Sequence, residues 1–121
     1  MPLSIQLQRA YDTPTPNDGH RVLVDRVWPR GVKREALKLN EWAKELAPST
    51  ELRKWFGHTP DKFADFAVRY RKELACQTQA CRQLLDRAGH GPLTLIYSAR
   101  DTEHNQAVVL REHLRKLVGV D

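Results

Sequence analysis

Hydrophobic and polar positions along this chain follow the periods of a mixed α/β protein. Leu3 to Arg9 alternates apolar and polar residues, which is the period of a half-buried strand. Arg21 to Val27 predicts a second strand centred on Val22-Leu23-Val24, and the compact apolar run Leu93 to Tyr97 predicts the most buried strand. Between the first two strands, Tyr11 to His20 contains two prolines and an Asn-Asp-Gly turn, so it predicts a loop.

Helical periodicity dominates the rest of the chain. The clearest helix runs from about Pro60 to Gln77, with Thr59 as its cap and Pro60 in its first turn. Its predicted apolar face consists of Phe63, Phe66, Ala67, Tyr70 and Leu74. Before it, the sequence predicts a helical turn within Trp28 to Leu39 and a short helix from Glu41 to Leu46 that Asn40 caps. A further turn is capped by Ser49 or Thr50 and has Leu52, Trp55 and Phe56 on its apolar side. After it, a helix from Ala80 to Ala88 ends at Gly89, and a long C-terminal helix runs to about Val118. The buried stripe of that last helix is predicted at Ala107, Leu110, Leu114, Leu117 and Val118.

A strand followed directly by a long helix favours parallel strand pairing. We therefore expect an α/β fold, with a small, open, mainly parallel sheet flanked by helices. With 121 residues and no repeat or linker, the chain is expected to form a single domain over residues 1–121.

Composition narrows the class of protein. The chain is 40% hydrophobic and 29% charged, which is ordinary for a globular domain. No segment approaches the apolar length that spans a bilayer, and the N-terminus lacks the layout of a signal peptide, so we expect a cytoplasmic protein with no membrane partner. The net charge of +5 suits nucleic acid, a membrane surface or an anionic small molecule. Because acidic residues are interleaved with the basic ones, a solvated surface explains the charge better than a nucleic-acid footprint.

Motifs for metal, cofactor and nucleophile chemistry are absent from the sequence. Cys76 and Cys81 are five residues apart in a predicted helix, which disfavours a disulfide between them. His58 and His104 have no partner at metal-ligand spacing, so no metal site is expected. Gly-x-Ser-x-Gly, Walker and dinucleotide-binding glycine patterns do not occur, and no cofactor is expected.

The candidate site follows from the fold. Parallel sheets bind ligands beyond the carboxyl ends of their strands. Arg9 and Tyr11 follow the first strand, Asp25 to Arg30 the second, and Ser98 to Thr102 the third. Arginines offer paired donors to a phosphate or carboxylate, so an anion pocket with an aromatic side is expected here. The expected ligand-binding residues are Arg9, Tyr11, Arg26, Trp28, Arg30, Tyr97, Ser98, Arg100 and Asp101, with Asp25 as the candidate general base or ring-nitrogen acceptor.

Each of these residues also has a structural interpretation. Asp25 could belong to an ion network with Arg9, Arg26 or Arg100 at the strand ends. Trp28, which precedes a proline, is typical of core packing as well as of a stacking surface. Asp101 or Thr102 is more typical of a helix cap than of a catalytic group.

Several short sequence blocks resemble a known family in their order along the chain. They are Arg21-Val-Leu-Val-Asp-Arg-Val-Trp-Pro-Arg-Gly31, Trp42, Leu46-Ala-Pro-Ser49, Leu52-Arg53 with Trp55-Phe56, and Leu93-Thr-Leu-Ile-Tyr97 through Asp101 and Asn105. The chain resembles the YeaO-like branch of the bacterial proteins grouped as domain of unknown function 488. The resemblance implies a compact cytoplasmic α/β domain with a parallel sheet, and it implies no activity. The resemblance also implies a departure: other branches of the family carry a Cys-His-Arg element at the helix after the last strand. The matching region of this chain is His104-Asn105-Gln106, with no cysteine, so no thiol chemistry is carried over.

Three hypotheses about function remain. The first is a protein that binds, and as an enzyme would also convert, a small anionic or nucleotide-like ligand at the strand ends. The second is a basic module that binds nucleic acid without catalysis. The third is an interaction protein whose Trp42, Trp55 and Phe56 form a partner surface. No pattern in the sequence specifies an oligomeric state.

Overall fold

A four-stranded, fully parallel sheet organises the chain in the computed structural model, which describes residues 4–119. Its strands are β1 (Ile5–Arg9), β2 (His20–Leu23), β3 (Glu41–Trp42) and β4 (Leu93–Tyr97), in the spatial order β1-β4-β2-β3. The predicted start of the first strand at Leu3 lies outside the described residues. The α/β class and the open parallel sheet predicted from the sequence are confirmed.

Five helices complete the fold: α1 (Arg34–Leu37), α2 (Thr50–Phe56), α3 (Phe63–Ala75), α4 (Thr78–Ala88) and α5 (Gln106–Leu117). Short 3-10 turns cover Pro16–Asp18, Lys44–Leu46 and Pro60–Lys62. No helix within residues 4–119 has both the length and the apolar character needed to cross a membrane.

The two faces of the sheet are covered unequally. Val22 and Leu95 are opposite each other on the face that the longer helices cover, and both belong to the main core. Leu23 and Ile96 point to the other face, because side chains alternate along a strand. That second face has a small cluster in which Ala10 and Leu37 are the other buried members. The thin cover on this side brings loops, rather than long helices, close to the strand ends.

The strongest sequence patterns predicted their elements well. The strand Leu93–Tyr97 has the predicted bounds and is buried throughout. In α3, Phe66, Tyr70 and Leu74 are almost fully buried, as the three-and-four spacing indicated. The side chain of Ser49 caps α2 by accepting a hydrogen bond from the Leu52 N–H, and α4 ends at Gly89 as predicted.

The predicted helix Glu41 to Leu46 is wrong. Glu41 and Trp42 form β3, which pairs with Val22 and Leu23. The Asn40 side chain does not cap a helix, because its amide oxygen accepts the backbone N–H of Arg21 at 2.8 Å. This contact joins the chain before β3 to β2, and only the following 3-10 turn is helical.

Three other boundaries differ from the prediction. β2 ends at Leu23 rather than Val27, so the residues after it form a loop. The cap of α5 is Asn105, whose side chain accepts from the Val108 N–H, whereas Asp101 accepts the N–H groups of the preceding turn. Val118, predicted in the buried stripe, lies just past the helix and is 39% exposed.

Candidate functional site

A cleft of about 410 Å³ opens beyond the carboxyl ends of β2 and β4. The loop after β2 contributes Asp25 to Arg30, and the segment after β4 contributes Ser98 and Ala99. Residues of α2, α3 and α5, together with Tyr11, Pro48 and His58, complete the lining. The cleft therefore lies where the parallel topology predicted a ligand site.

Asp25 is held at the cleft by neutral hydrogen-bond donors. The backbone N–H of Val24 still bonds to Ile96 O at 2.9 Å, so the chain continues in register beside β4 and places Asp25 next to Ser98. One carboxylate oxygen accepts the Ser98 N–H at 2.9 Å and the Ser98 hydroxyl at 2.5 Å. The other oxygen accepts the side-chain amide of Gln106, in the first turn of α5.

The electrostatics of Asp25 follow from this burial. Its residue is only 8% exposed, and burial raises the pKa of the carboxyl above its ordinary value although the hydrogen bonds from Ser98 and Gln106 lower it. Asp25 makes no ion pair with any residue in the described range 4–119. The ion network with Arg9, Arg26 or Arg100, offered as the structural interpretation, does not form.

Trp28 packs in the second hydrophobic cluster and also lines the cleft. Its ring meets that of Trp42 edge-on at 5.4 Å, and its indole N–H donates to Val32 O at 2.7 Å, so part of it packs in the second cluster. The remaining part lines the cleft. The indole N–H of Trp42 donates to the backbone oxygen of Asp25 at 2.7 Å and so helps fix the loop that carries the carboxylate.

Three arginines line the cleft. The guanidinium of Arg26 donates to the backbone oxygens of Pro48 at 2.9 Å and Ala47 at 3.3 Å, which ties the loop after β2 to the segment before α2. Arg30 comes from the same loop and Arg53 from α2; both are exposed. Neither forms an ion pair within residues 4–119, so both can donate to a ligand.

His58 reaches the cleft through an unusual backbone. Gly57 and His58 have φ angles of 54° and 56°, two consecutive residues in the left-handed region, directly after α2. This conformation is strained for a residue with a Cβ, and such strain is concentrated at functional sites. The imidazole lies 6.2 Å from the Phe56 ring, and a positive charge on it would lower the pKa of Asp25.

Four of the expected site residues lie outside the cleft lining. Arg9 donates to the backbone oxygens of Ala99 at 2.9 Å and Ser98 at 3.3 Å, so it supports the chain behind the cleft. Tyr97 is buried in the main core at 3% exposure. Arg100 is exposed, and the carboxylate of Asp101 is occupied by its own turn. The structure brings together Tyr11, Asp25, Arg26, Trp28, Arg30 and Ser98.

The lining residues that the sequence did not indicate come from helices or helix ends. They are Pro48, Arg53, Phe56, His58, Phe66 and Gln106. Their periodicity shows that these segments are helical, but not which helix end meets which strand. The one local signal for these residues in the sequence was Gly57, because a glycine directly after a helix favours a left-handed turn. Within residues 4–119, no group of three or more His, Cys, Asp or Glu residues is placed to hold a metal ion.

Comparison with known proteins gives consistent matches over nearly the whole chain. The model of a family described as the inactive DUF488-N3 subclade matches residues 4–119. The uncharacterized protein YeaO of Escherichia coli is 49% identical over 115 residues, covering 95% of this chain and 100% of that protein. The uncharacterized protein Rv3073c of Mycobacterium tuberculosis is 37% identical over 110 residues, covering 91% of this chain and 92% of that protein. No solved structure matches the chain significantly.

Proposed function

Because the chain belongs to the inactive DUF488-N3 subclade, we propose that its cleft binds a small anionic, nucleotide-like ligand and does not convert it. The observation that carries this proposal is the charge of the lining. Arg26, Arg30 and Arg53 line the cleft, and Asp25 is the one carboxylate among the described lining residues. With that carboxylate bonded to neutral donors, Arg30 and Arg53 have no internal counter-charge and are available to an anion.

The rest of the lining suits a flat ring attached to that anion. Phe56 and Phe66 are stacked at 4.4 Å, and Trp28 and Pro29 add further apolar surface. A volume of about 410 Å³ lies in the range of small-molecule sites. A nucleoside monophosphate combines the planar ring and the phosphate that such a lining favours.

Asp25 supplies a specific polar contact in this proposal. One of its oxygens accepts two hydrogen bonds from Ser98, while the other accepts one from Gln106 and keeps acceptor capacity. A ring N–H or exocyclic amine of the ligand fits that remaining capacity. The Ser98 hydroxyl already donates to Asp25 with no histidine between them, which supports binding rather than nucleophilic chemistry.

Calorimetric titration with adenosine and cytidine monophosphates, the matching nucleosides and inorganic phosphate tests the proposal. We expect the monophosphates to bind more tightly than the nucleosides, and Arg53→Gln or Arg30→Gln to weaken their binding about 10-fold or more, because charge-assisted hydrogen bonds are lost. Arg82→Gln is the matched control, since Arg82 is exposed on α4 and does not line the cleft.

Equal affinity for nucleosides and their monophosphates would contradict the anionic part of the proposal. An unchanged affinity in both cleft variants would have the same consequence. Phosphorus NMR of the mixture after prolonged incubation tests the absence of conversion, and the appearance of a new phosphorus signal would show that the protein turns the ligand over.

A further inference from the structure

The positive charge of the molecule is concentrated beside the cleft. Residues 26–38, called the basic segment here, contain five of the twenty lysine and arginine residues and one of the fifteen acidic residues, so they carry +4 of the net charge of +5. The five cations are Arg26, Arg30, Lys33, Arg34 and Lys38. None of them forms an ion pair within the described residues 4–119.

The basic segment continues directly from the cleft and is internally ordered. Its first five residues line the cleft. The Val32 N–H donates to Pro29 O at 3.4 Å, and Val32 O accepts the Trp28 indole N–H, so the chain turns back beside the cleft. The single turn of α1 follows, with Lys33 and Lys38 as its two flanking residues. Both lysines are exposed and lie outside the cleft lining.

Two aromatic rings, those of Trp28 and Tyr11, lie next to these cations. The guanidinium of Arg34 lies over the Trp28 ring at 5.3 Å from its centroid. Tyr11, which is 49% exposed, donates its hydroxyl to Arg30 O at 3.1 Å and has the Arg9 guanidinium over its ring at 5.0 Å. The surface therefore offers exposed aromatic area and positive charge side by side.

We propose that the basic segment and Tyr11 bind single-stranded nucleic acid, with one nucleotide of the strand seated in the cleft. This inference rests on the proposed function, because it makes the cleft ligand one unit of a longer chain. A single monophosphate in the cleft cannot also neutralise Lys33 and Lys38, which flank α1 beyond it. A strand with successive phosphates reaches both groups, and its bases can stack on aromatic rings.

Other polyanionic partners fit this surface less well. Duplex DNA is commonly read by a helix in the major groove, and α1 has only four residues. Paired bases also hide the faces that Tyr11 and Trp28 would stack against. A membrane surface requires several bulky apolar side chains, and Val27 is the one large apolar residue of the basic segment that is strongly exposed.

The test uses fluorescence anisotropy with a labelled oligothymidylate of about ten nucleotides, within the usual site size of single-strand binders. We expect it to bind more tightly than thymidine monophosphate, with a log–log salt slope of about −2 to −3 for three to four phosphate contacts. The double variant Lys33→Gln/Lys38→Gln should make that slope about 1.4 units shallower and weaken oligonucleotide binding several-fold, and it should leave monophosphate binding unchanged. Lys72→Gln/Lys116→Gln removes two exposed lysines elsewhere and is the matched control.

The outcomes separate this inference from the proposed function. If the monophosphate binds as well as the oligonucleotide, the inference is overturned and the proposed function stands. If the oligonucleotide binds through Lys33 and Lys38 while the monophosphate does not bind and Arg53→Gln leaves oligonucleotide binding unchanged, the proposed function fails. The seat of one nucleotide in the cleft is then overturned with it, and only binding of the strand by the basic segment is supported. Equal or tighter binding of a duplex of the same length would overturn the choice of a single strand. Lysine-dependent sedimentation with phosphatidylserine vesicles, without oligonucleotide binding, would overturn the choice of nucleic acid.

Discussion

At the scale of single residues, Asp25 shows why the arginines of the cleft have no internal counter-charge. A carboxylate at a strand end next to several arginines is expected to pair with them, yet Asp25 is held by Ser98 and Gln106. Since these donors are neutral, the residue keeps its burial cost and leaves the arginine charges uncompensated. The absence of an ion pair at the buried Asp25 and the uncompensated charge of the exposed Arg30 and Arg53 therefore have the same cause.

This burial predicts how stability depends on pH. Because burial raises the pKa of Asp25, its contribution to stability is complete below the pKa of the unfolded chain and is lost as pH rises through the folded pKa. In Asp25→Asn, the amide oxygen can still accept from Ser98, and Gln106 can rotate its amide to accept from the new NH₂ group. We therefore expect Asp25→Asn to gain stability relative to the wild type as the pH rises above about 4.

Urea unfolding at several pH values measures this difference, and Asp25→Ala is the control. The alanine leaves the donors of Ser98 and Gln106 without their acceptor, so it should cost about 1–3 kcal/mol. If the free energy of unfolding of Asp25→Asn differs from that of the wild type by the same amount at all pH values, the burial argument is contradicted. Failure of Asp25→Asn to fold would show that the carboxylate is an essential structural acceptor.

At the scale of secondary structure, the sequence predicted elements with strong internal patterns and failed where the structure depends on distant partners. The run Leu93–Tyr97 is apolar at four of its five positions, so the local sequence was enough to predict both ends of this strand. The two-residue strand Glu41–Trp42 has no period of its own and exists because it pairs with β2. Asn40 has the residue type of a helix cap, but its acceptor serves Arg21, which is distant in sequence.

The same reason limits prediction of the site. Asp25 and Ser98 follow strands, and the rule for parallel sheets places strand ends together. Gln106, Arg53 and Phe66 reach the cleft only because α5, α2 and α3 pack over one face of the sheet. Tertiary packing determines which helix end meets which strand, and this cannot be read from a single sequence.

The packing of α5 predicts a second pH effect. The Nε2 atom of His113 is buried and has no hydrogen-bond partner within residues 4–119. Burial lowers the pKa of this histidine, and the charges of Lys116 on α5 and Arg71 on α3 lower it further. A lowered folded pKa gives stability that is present above the unfolded pKa and is lost as pH falls through the folded value.

We therefore expect His113→Gln to lose less stability than the wild type between pH 7 and pH 5, and His113→Leu to be more stable at pH 5 by about 1 kcal/mol, because it removes an unsatisfied polar atom. Thermal unfolding at matched ionic strength is the measurement. His90→Gln is the control, since His90 is exposed in the loop before β4. If His113→Gln loses as much stability as the wild type between pH 7 and pH 5, the acid sensitivity arises from another group.

At the scale of the whole molecule, most of the excess positive charge lies on the side of the sheet that has the thinner cover. Spread over the sequence, the basic residues indicate only a solvated surface, but the excess over acids lies almost entirely in residues 26–38. That segment belongs to the side of the sheet where no long helix packs, and there Trp28 and Trp42 cover a small buried cluster. The thin side thus carries the basic segment, the thick side carries most of the core, and the cleft lies between the loop after β2 and the helices of the thick side.

This asymmetry raises the question of whether the thin side unfolds on its own. Its buried members, such as Leu23 and Ile96, alternate along β2 and β4 with Val22 and Leu95 of the main core. Because both clusters share two strands, neither can lose its packing without disturbing the other. We therefore expect one cooperative transition in urea, with a slope of about 1–3 kcal/mol/M.

Two probes can be compared in a Trp55→Phe variant, which leaves Trp28 and Trp42 as the fluorophores of the thin side. Their fluorescence and the far-ultraviolet circular dichroism, which reports mainly on the helices of the thick side, should give the same midpoint. A fluorescence midpoint below that of the circular dichroism would mean that the second cluster melts first. In that case Arg26 and Arg30 would lie on a locally unstable surface, and ligand should raise the fluorescence midpoint before it changes the global one.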